Sequence, residues 1–319
     1  MLVAILKLIR WKNLCIIAFT QYCIRYFLIS GMLKFMNLGI ILQMSDFNFF
    51  LLCLSTVLVA AAGYIFNDYF DTRIDMYNKP QQVIVGNLIS RRQSMLLHTV
   101  FNILGVTLGF YVAHTVGLIK LGFIHLLSTG LLWFYSTNFK KQFLTGNIIT
   151  SLLTAMVPLI VVLYELPVLL TKYKTVLQYS GVNFNHVFQF VAVYSGFAFL
   201  TALIREIVKD MEDVEGDRQF GCSTLPIIYG YTAAKRTVII LCLIEMMLLM
   251  TVQVKQYTSG DMLSFTYFLI SFQGGFAWFL YQLSRANKPT HYHQASRVIK
   301  FIMLLGIAYS GVYYYLLLY

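Results

Sequence analysis

Two acid-bearing stretches carry the chemistry of this chain. The first is Asn67-Asp68-Tyr69-Phe70-Asp71-Thr72-Arg73-Ile74-Asp75, and the second is Asp210-Met211-Glu212-Asp213-Val214-Glu215-Gly216-Asp217. Both read Asp-x-x-Asp-x-x-x-Asp, and each aspartate of the first recurs 142 residues later in the second. Nine of the 13 acidic residues of the chain fall in 68–75 and 206–217. On a helix, positions i, i+3 and i+7 share one face, so each stretch is expected to present its three carboxylates in a row. Like charges gathered in this way repel and call for a cation. Hard oxygen ligands select magnesium, which retains water and bridges to substrate phosphates. A pair of solvated acidic loops is the plain alternative. Identical spacing, interleaved with Arg and Lys, argues against it.

The surrounding residues suit a diphosphate held by such a metal. Arg73, Lys79, Lys140, Arg205, Lys209 and Arg218 lie near the motifs or on the same face. Arginine offers forked contacts to phosphate and lysine a point charge. Each of them singly is equally well explained as a topology-setting charge. Tyr64, Phe66, Tyr69, Phe70, Phe134 and Tyr135 add ring faces that stabilise an allyl cation as diphosphate leaves. Tyr64 and Tyr135 are the expected substrate-pocket rings, although aromatic belts at membrane interfaces are rich in tyrosine for other reasons. Arg25 and Glu245 lie inside apolar runs and are functional candidates on that ground, or partners of one another, or snorkelling groups. His291-x-His293 reads as part of a solvated polar loop.

The elements that position these residues follow from composition. Of 319 residues, 59% are hydrophobic and only 12% charged, with a mean hydropathy of +0.71. That describes an all-α polytopic membrane protein rather than soluble domains, since helices satisfy their own backbone in lipid. Nine spans are expected, at about 13–33, 49–67, 95–116, 119–137, 145–164, 186–206, 235–254, 263–283 and 298–318, from the ~20 apolar residues that a crossing requires. Lys7, Arg10 and Lys12 precede the first, which reads as an uncleaved membrane helix rather than a signal peptide. The five cysteines have no metal-type spacing.

Net charge is +11, and its distribution points away from nucleic acid. With the N-terminus inside, eighteen of the 24 basic residues fall on the inner side and five outside. This asymmetry places both acidic motifs at the cytoplasmic ends of spans 2 and 6, and Tyr319 outside. The acids then sit at helix C-termini or just beyond, where the dipole disfavours them and a metal compensates. The constant offset and the span count suggest an internal repeat within one domain covering 1–319, with motifs at 67–75 and 210–217 brought face to face.

These features resemble the UbiA family of intramembrane prenyltransferases. The family's first motif, Asn-Asp-x-x-Asp-x-x-x-Asp, matches Asn67, Asp68, Asp71 and Asp75. Its second, Asp-x-x-x-Asp, matches Asp213 and Asp217, with Asp210 one turn earlier. Tyr135-Ser136, Lys140 and Gly146-Asn147 resemble the family's segment between the fourth and fifth helices. The resemblance covers essentially the whole chain and implies nine helices around a central cavity. It further implies a prenyl diphosphate donor, two Mg²⁺ held by Asn67 and the six aspartates, and catalytic roles for Asp68, Asp71, Asp213 and Asp217. Arg73, Lys79, Lys140, Lys209 and Arg218 would then contact diphosphate at the cytoplasmic face of a plasma or inner membrane. The 205–226 stretch looks most like the branch that alkylates the free hydroxyl of a prenylated glycerol phosphate. Branches that prenylate 4-hydroxybenzoate or a naphthoate are the alternative, and a lipid-binding or transport protein is the non-enzymatic one. One departure stands out: the family commonly continues Asn-Arg-Pro-x-Arg-Pro after the first motif, and this chain has Asn78-Lys79-Pro80-Gln81-Gln82-Val83. Arg91, Arg92 and Lys79 are the cations able to replace the missing arginine.

Overall fold

A computed structural model describes the chain except Asn37, Lys79, Gly181, Val182 and Tyr319 and the side chains of Gln82 and Ser180. The expected diphosphate contact of Lys79, the Gln82 departure and the outer position of Tyr319 therefore lie outside the described residues. Among the described residues there is no strand, and one isolated bridge joins Val85 and Ile89. The helices used below are α1 (Leu2–Leu8), α2 (Trp11–Phe35), α3 (Asp46–Asn78), α4 (Arg91–Thr115), α5 (Gly122–Thr137) and α6 (Thr145–Lys172). They continue with α7 (Asn185–Glu212), α8 (Val214–Gln219), α9 (Leu225–Thr258), α10 (Met262–Arg285) and α11 (Pro289–Leu318).

Among the described residues, 8 of these helices are long and apolar enough to cross a membrane. The ninth expected segment, 119–137, forms a 3-10 turn at Ile119–Leu121 followed by α5. With 16 residues, α5 is about 24 Å long, and the preceding 3-10 turn adds about 6 Å, which together match the ~30 Å hydrocarbon thickness and the expected ninth helix. The motif-bearing helix α3 runs well past its apolar stretch, to Asn78. The first motif is thus inside a helix rather than at its end. Only Asp75 lies in the last turn, so the unfavourable helix dipole bears on Asp75 and little on Asp68.

The chain divides into two compact units, Met1–Phe139 with Met156–Tyr194, and Lys140–Ala155 with Ser195–Tyr319. In the first unit α3, α4 and α5 approach closely through small residues, as helices do where lipid offers no hydrophobic drive. A Cβ on Gly63 would stand 2.8 Å from Leu132 of α5, and one on Gly105 of α4 would stand 2.9 Å from Val59 of α3. Ser55 Oγ donates to the Gly105 carbonyl at 2.6 Å across the same seam. The N-terminal helix α1 docks Ala4 and Leu8 against Ile65 of α3 and against Val85 and Ile89 of the following loop. This small core holds the N-terminal arm beside the first motif.

The same unit contains a buried polar cluster distant from the motif. Arg25 lies in a π-helical turn, Ile24–Ile29, within α2 and is 1% exposed. Its Nε donates to Glu165 of α6 at 3.2 Å and its Nη1 to Asp46 at 2.8 Å. The other oxygen of Glu165 accepts the backbone N–H of Gln43 at 2.7 Å and of Met44 at 3.0 Å. Arg25 thus pairs with Glu165 and Asp46, not with Glu245 as the alternative reading allowed.

In the second unit the apolar face of α7 is Ile204, Ile207, Val208 and Met211, all 1% exposed or less. It packs in one core with Val238 and Cys242 of α9, Phe276 and Phe279 of α10, and Ala295 and Ile299 of α11. Burial of that face leaves Arg205, Glu206, Lys209 and Asp210 on the opposite one, as the 3.6-residue period requires. Glu245 is also buried in this unit, where it accepts from Thr201 Oγ1 at 2.5 Å.

Candidate active site

The first motif is a continuous helical stretch of α3, so Asp68, Asp71 and Asp75 do share a face. Asp71 is 4% exposed, and its Oδ2 accepts from Asn67 Nδ2 at 2.7 Å. Asp68 is partly exposed and accepts from Arg10 Nη2 at 2.8 Å. Arg10 stands over the Tyr64 ring, 5.0 Å from its centroid, and Tyr135 lies close enough to act on the same cation. Of the two rings expected to line the pocket, Tyr64 packs against this arginine. Arg73 points to solvent. Arg91 covers the Tyr69 ring at 4.2 Å and so engages the motif helix.

The second motif departs from a straight row. Helix α7 ends at Glu212, Asp213 takes φ −99° and ψ 9° at the junction, and Asp217 lies in the short α8. Backbone bonds from Asp213 N to Lys209 O (3.0 Å) and from Asp217 N to Asp213 O (3.1 Å) carry the helical pattern across the bend. Gly221, just after α8, takes the left-handed region at φ 74°. Asp217 is 5% exposed, and Asp210 and Asp213 are half-buried. Asp210 Oδ2 accepts from Asn147 Nδ2 at 2.8 Å, from the first turn of α6. Here Asp210 and Asp213 do sit at a helix C-terminus, where added positive charge is favourable.

The cations expected near the second motif divide. Lys209 is held by Glu206 at 2.8 Å and 3.0 Å, which occupies its ammonium. Arg218 is exposed and Lys140 half-buried. The loop carrying Lys140 is tied to the segment after the motif by Ser223 N donating to Lys141 O at 2.8 Å. His291 and His293 are not in a loop but in the opening turns of α11, and His293 lies 3.2 Å from Glu212.

Each motif therefore has an asparagine fixing one carboxylate: Asn67 on Asp71 and Asn147 on Asp210. Sequence pattern alone does not mark Asn147 as a site residue. Its signal there is only its place in the family-like Gly146-Asn147 segment. Arg10 reads from sequence merely as an inner-side charge.

The donor atoms fit magnesium. They are carboxylate and amide oxygens, and Asn67 Oδ1 is buried without a hydrogen-bond partner among the described residues. Among the described residues no three His, Cys, Asp and Glu side chains form a closed metal cage. Magnesium does not require one: it is held by one or two carboxylates, waters and the phosphates of a substrate.

A chain of apolar membrane helices carrying these paired motifs matches the UbiA prenyltransferase family over residues 38–315, and it belongs to that family. Its sequence is 32% identical over 203 residues to digeranylgeranylglyceryl phosphate synthase of Methanothermobacter thermautotrophicus, covering 63% of each chain. It is 30% identical over 195 residues to the enzyme of that name from Methanosphaera stadtmanae, covering 61% of this chain and 62% of that one. The matched region thus spans somewhat under two thirds of these relatives' length. Among solved structures, one of digeranylgeranylglyceryl phosphate synthase in membranes superposes with a TM-score of 0.61 at 24% identity, covering 98% of both chains. A UbiA homologue from Archaeoglobus fulgidus bound to DMAPP and Mg²⁺ superposes with a TM-score of 0.56 at 18% identity, covering 94% of this chain and 98% of that one. These likenesses show the UbiA fold.

Proposed function

We propose that this protein is a magnesium-dependent prenyltransferase. It moves an isoprenyl group from a prenyl diphosphate to the free hydroxyl of geranylgeranylglyceryl phosphate in the membrane. The observation that carries this reading is the repeated aspartate triplet, each copy with one carboxylate fixed by an asparagine. In this reading Asp68, Asp71, Asp75, Asp210, Asp213 and Asp217, with Asn67 Oδ1, would hold two Mg²⁺. Bound magnesium supplies the charge that stabilises the departing diphosphate. Arg73, Lys140 and Arg218 add cationic contacts to the phosphates, and Lys209 does so on leaving Glu206. Tyr64 and Tyr135 present ring faces to the allylic cation as its bond to diphosphate breaks. The acceptor oxygen then bonds to that carbon and its proton passes to the released diphosphate.

The acceptor assignment is supported by the names of the relatives and by charge. A phosphorylated acceptor requires cations beyond those serving the donor, and Lys140, Lys141 and Arg218 supply them, whereas a benzoate needs about one arginine. The inner-side basic excess supports a site on the cytoplasmic face of the plasma or inner membrane.

The test is purified protein in lipid nanodiscs, given geranylgeranyl or farnesyl diphosphate with Mg²⁺ and a mixture of acceptors, with products identified by mass spectrometry. Prenylation of geranylgeranylglyceryl phosphate, abolished by EDTA, is expected. Prenylation of 4-hydroxybenzoate or a naphthoate in its place overturns the acceptor. Full turnover in EDTA overturns the metal, and binding without turnover leaves a lipid carrier.

A further inference from the structure

Arg10 is one of two non-glycine residues with positive φ among those described, at φ 51° and ψ 51°. The other is Leu144, at φ 53°, three residues before the Asn147 that fixes Asp210. A side chain in the left-handed region is strained and persists only where its surroundings over-determine it, which is common at functional sites. The strain at Arg10 falls at the sharp junction between α1 and α2, where glycine would serve the backbone better. What arginine adds there is its guanidinium, which reaches the first carboxylate of the motif at 2.8 Å while remaining 40% exposed. Ion pairing is not what anchors this arm, because Ala4 and Leu8 already dock α1 on Ile65.

We propose that Arg10 is a positioning residue of the donor site. It holds and neutralises the Asp68 carboxylate, and would turn its guanidinium to the donor diphosphate when Asp68 serves as a metal ligand. The planar guanidinium suits both partners, since carboxylate and phosphate present the same pair of acceptor oxygens. Its contact with Asp68 occupies one edge of the fork and leaves the rest for phosphate. This inference rests on the magnesium–diphosphate reading of the motif given above.

The test uses the full chain in nanodiscs, with inorganic diphosphate plus Mg²⁺ as one calorimetric probe and Mn²⁺ alone as the other. Arg10→Gln and Arg10→Gly are expected to bind magnesium diphosphate about tenfold or more weakly, the loss of a charge-assisted contact. Arg10→Lys recovers part of this. Mn²⁺ alone binds both variants at least as tightly as wild type, because Asp68 is released. Arg10→Gly melts no lower than wild type, since the left-handed strain is relieved. Unchanged diphosphate affinity in both variants, with Asp68→Asn losing it, overturns the role of Arg10 and leaves the reading of the motif intact. Unchanged affinity in Asp68→Asn as well overturns that reading too. A fall in melting temperature that accounts for the lost binding in both Arg10 variants makes Arg10 structural and overturns the proposal.

Discussion

Removing Arg25 tests how charge is managed inside the first unit. Glu165 is 0% exposed and Arg25 1%, whereas Asp46, the second partner of Arg25, has a side chain 82% exposed. Arg25→Met therefore leaves the Glu165 carboxylate buried with only the backbone N–H groups of Gln43 and Met44. Breaking a buried pair from one side costs about 3–5 kcal/mol, most of it the desolvation of the charge left behind. Glu165→Gln should cost less, because the amide oxygen still accepts from Gln43 and Met44, and Arg25 keeps the hydrated Asp46. The double variant contains no stranded buried charge, so it should be more stable than Arg25→Met alone. Along α3, Asp46 and Asp68 are 22 residues apart, about 33 Å at 1.5 Å per residue. Transfer activity per folded molecule should thus be unchanged in all three. Thermal unfolding of each variant in one detergent, with prenyl transfer measured in parallel, reads both quantities. A double variant whose loss equals the sum of the single losses would refute the argument, since contacting charges must couple.

Four other outcomes follow from the geometry. Asn147→Leu removes the hydrogen bond to Asp210, worth about 1.5–3 kcal/mol, and should lower both the melting temperature, by several degrees, and kcat/KM, by about tenfold to a hundredfold. Asp71→Asn and Asp213→Asn should each nearly abolish transfer while the protein still inserts; wild-type rates in both would contradict the metal assignment. Gly109→Ala places a Cβ 2.5 Å from His125 Nδ1 and should destabilise by about 1–3 kcal/mol, read by the same unfolding assay. Cysteines introduced at the exposed positions Arg73 and Arg218 should both react with an impermeant thiol reagent from the cytoplasmic side, and labelling from opposite sides would separate the two motifs.

Much of the architecture is legible in local pattern. A run of ~20 apolar residues can satisfy its backbone in lipid only as a helix, so the spans need no tertiary information to be recognised. The i, i+3, i+7 spacing of Asp68, Asp71 and Asp75 likewise states their shared face, because the period belongs to the helix itself. The same rule is incomplete at Asp210, Asp213 and Asp217. Their helix bends at Asp213, and the nearby Gly216, which lies within the short α8, does not by itself mark the position of the bend. Hydropathy marks the apolar stretch of the second span but not the end of its helix, since α3 continues through polar residues to Asn78.

What only the tertiary structure decided is which side chain holds which carboxylate. Arg10 meets Asp68 across 58 residues of sequence, Asn147 meets Asp210 across 63, and Arg25 meets Glu165 across 140. Nothing in composition or period distinguishes Arg10 from the other inner-side charges, or Asn147 from any other asparagine near a helix start. These pairings depend on helix approach, which for α3, α4 and α5 is closest where the backbone lacks a side chain, as at Gly63 and Gly105. Such close contacts select one packing among many that the apolar pattern alone would allow, and side chains far apart in sequence meet only once the packing is set.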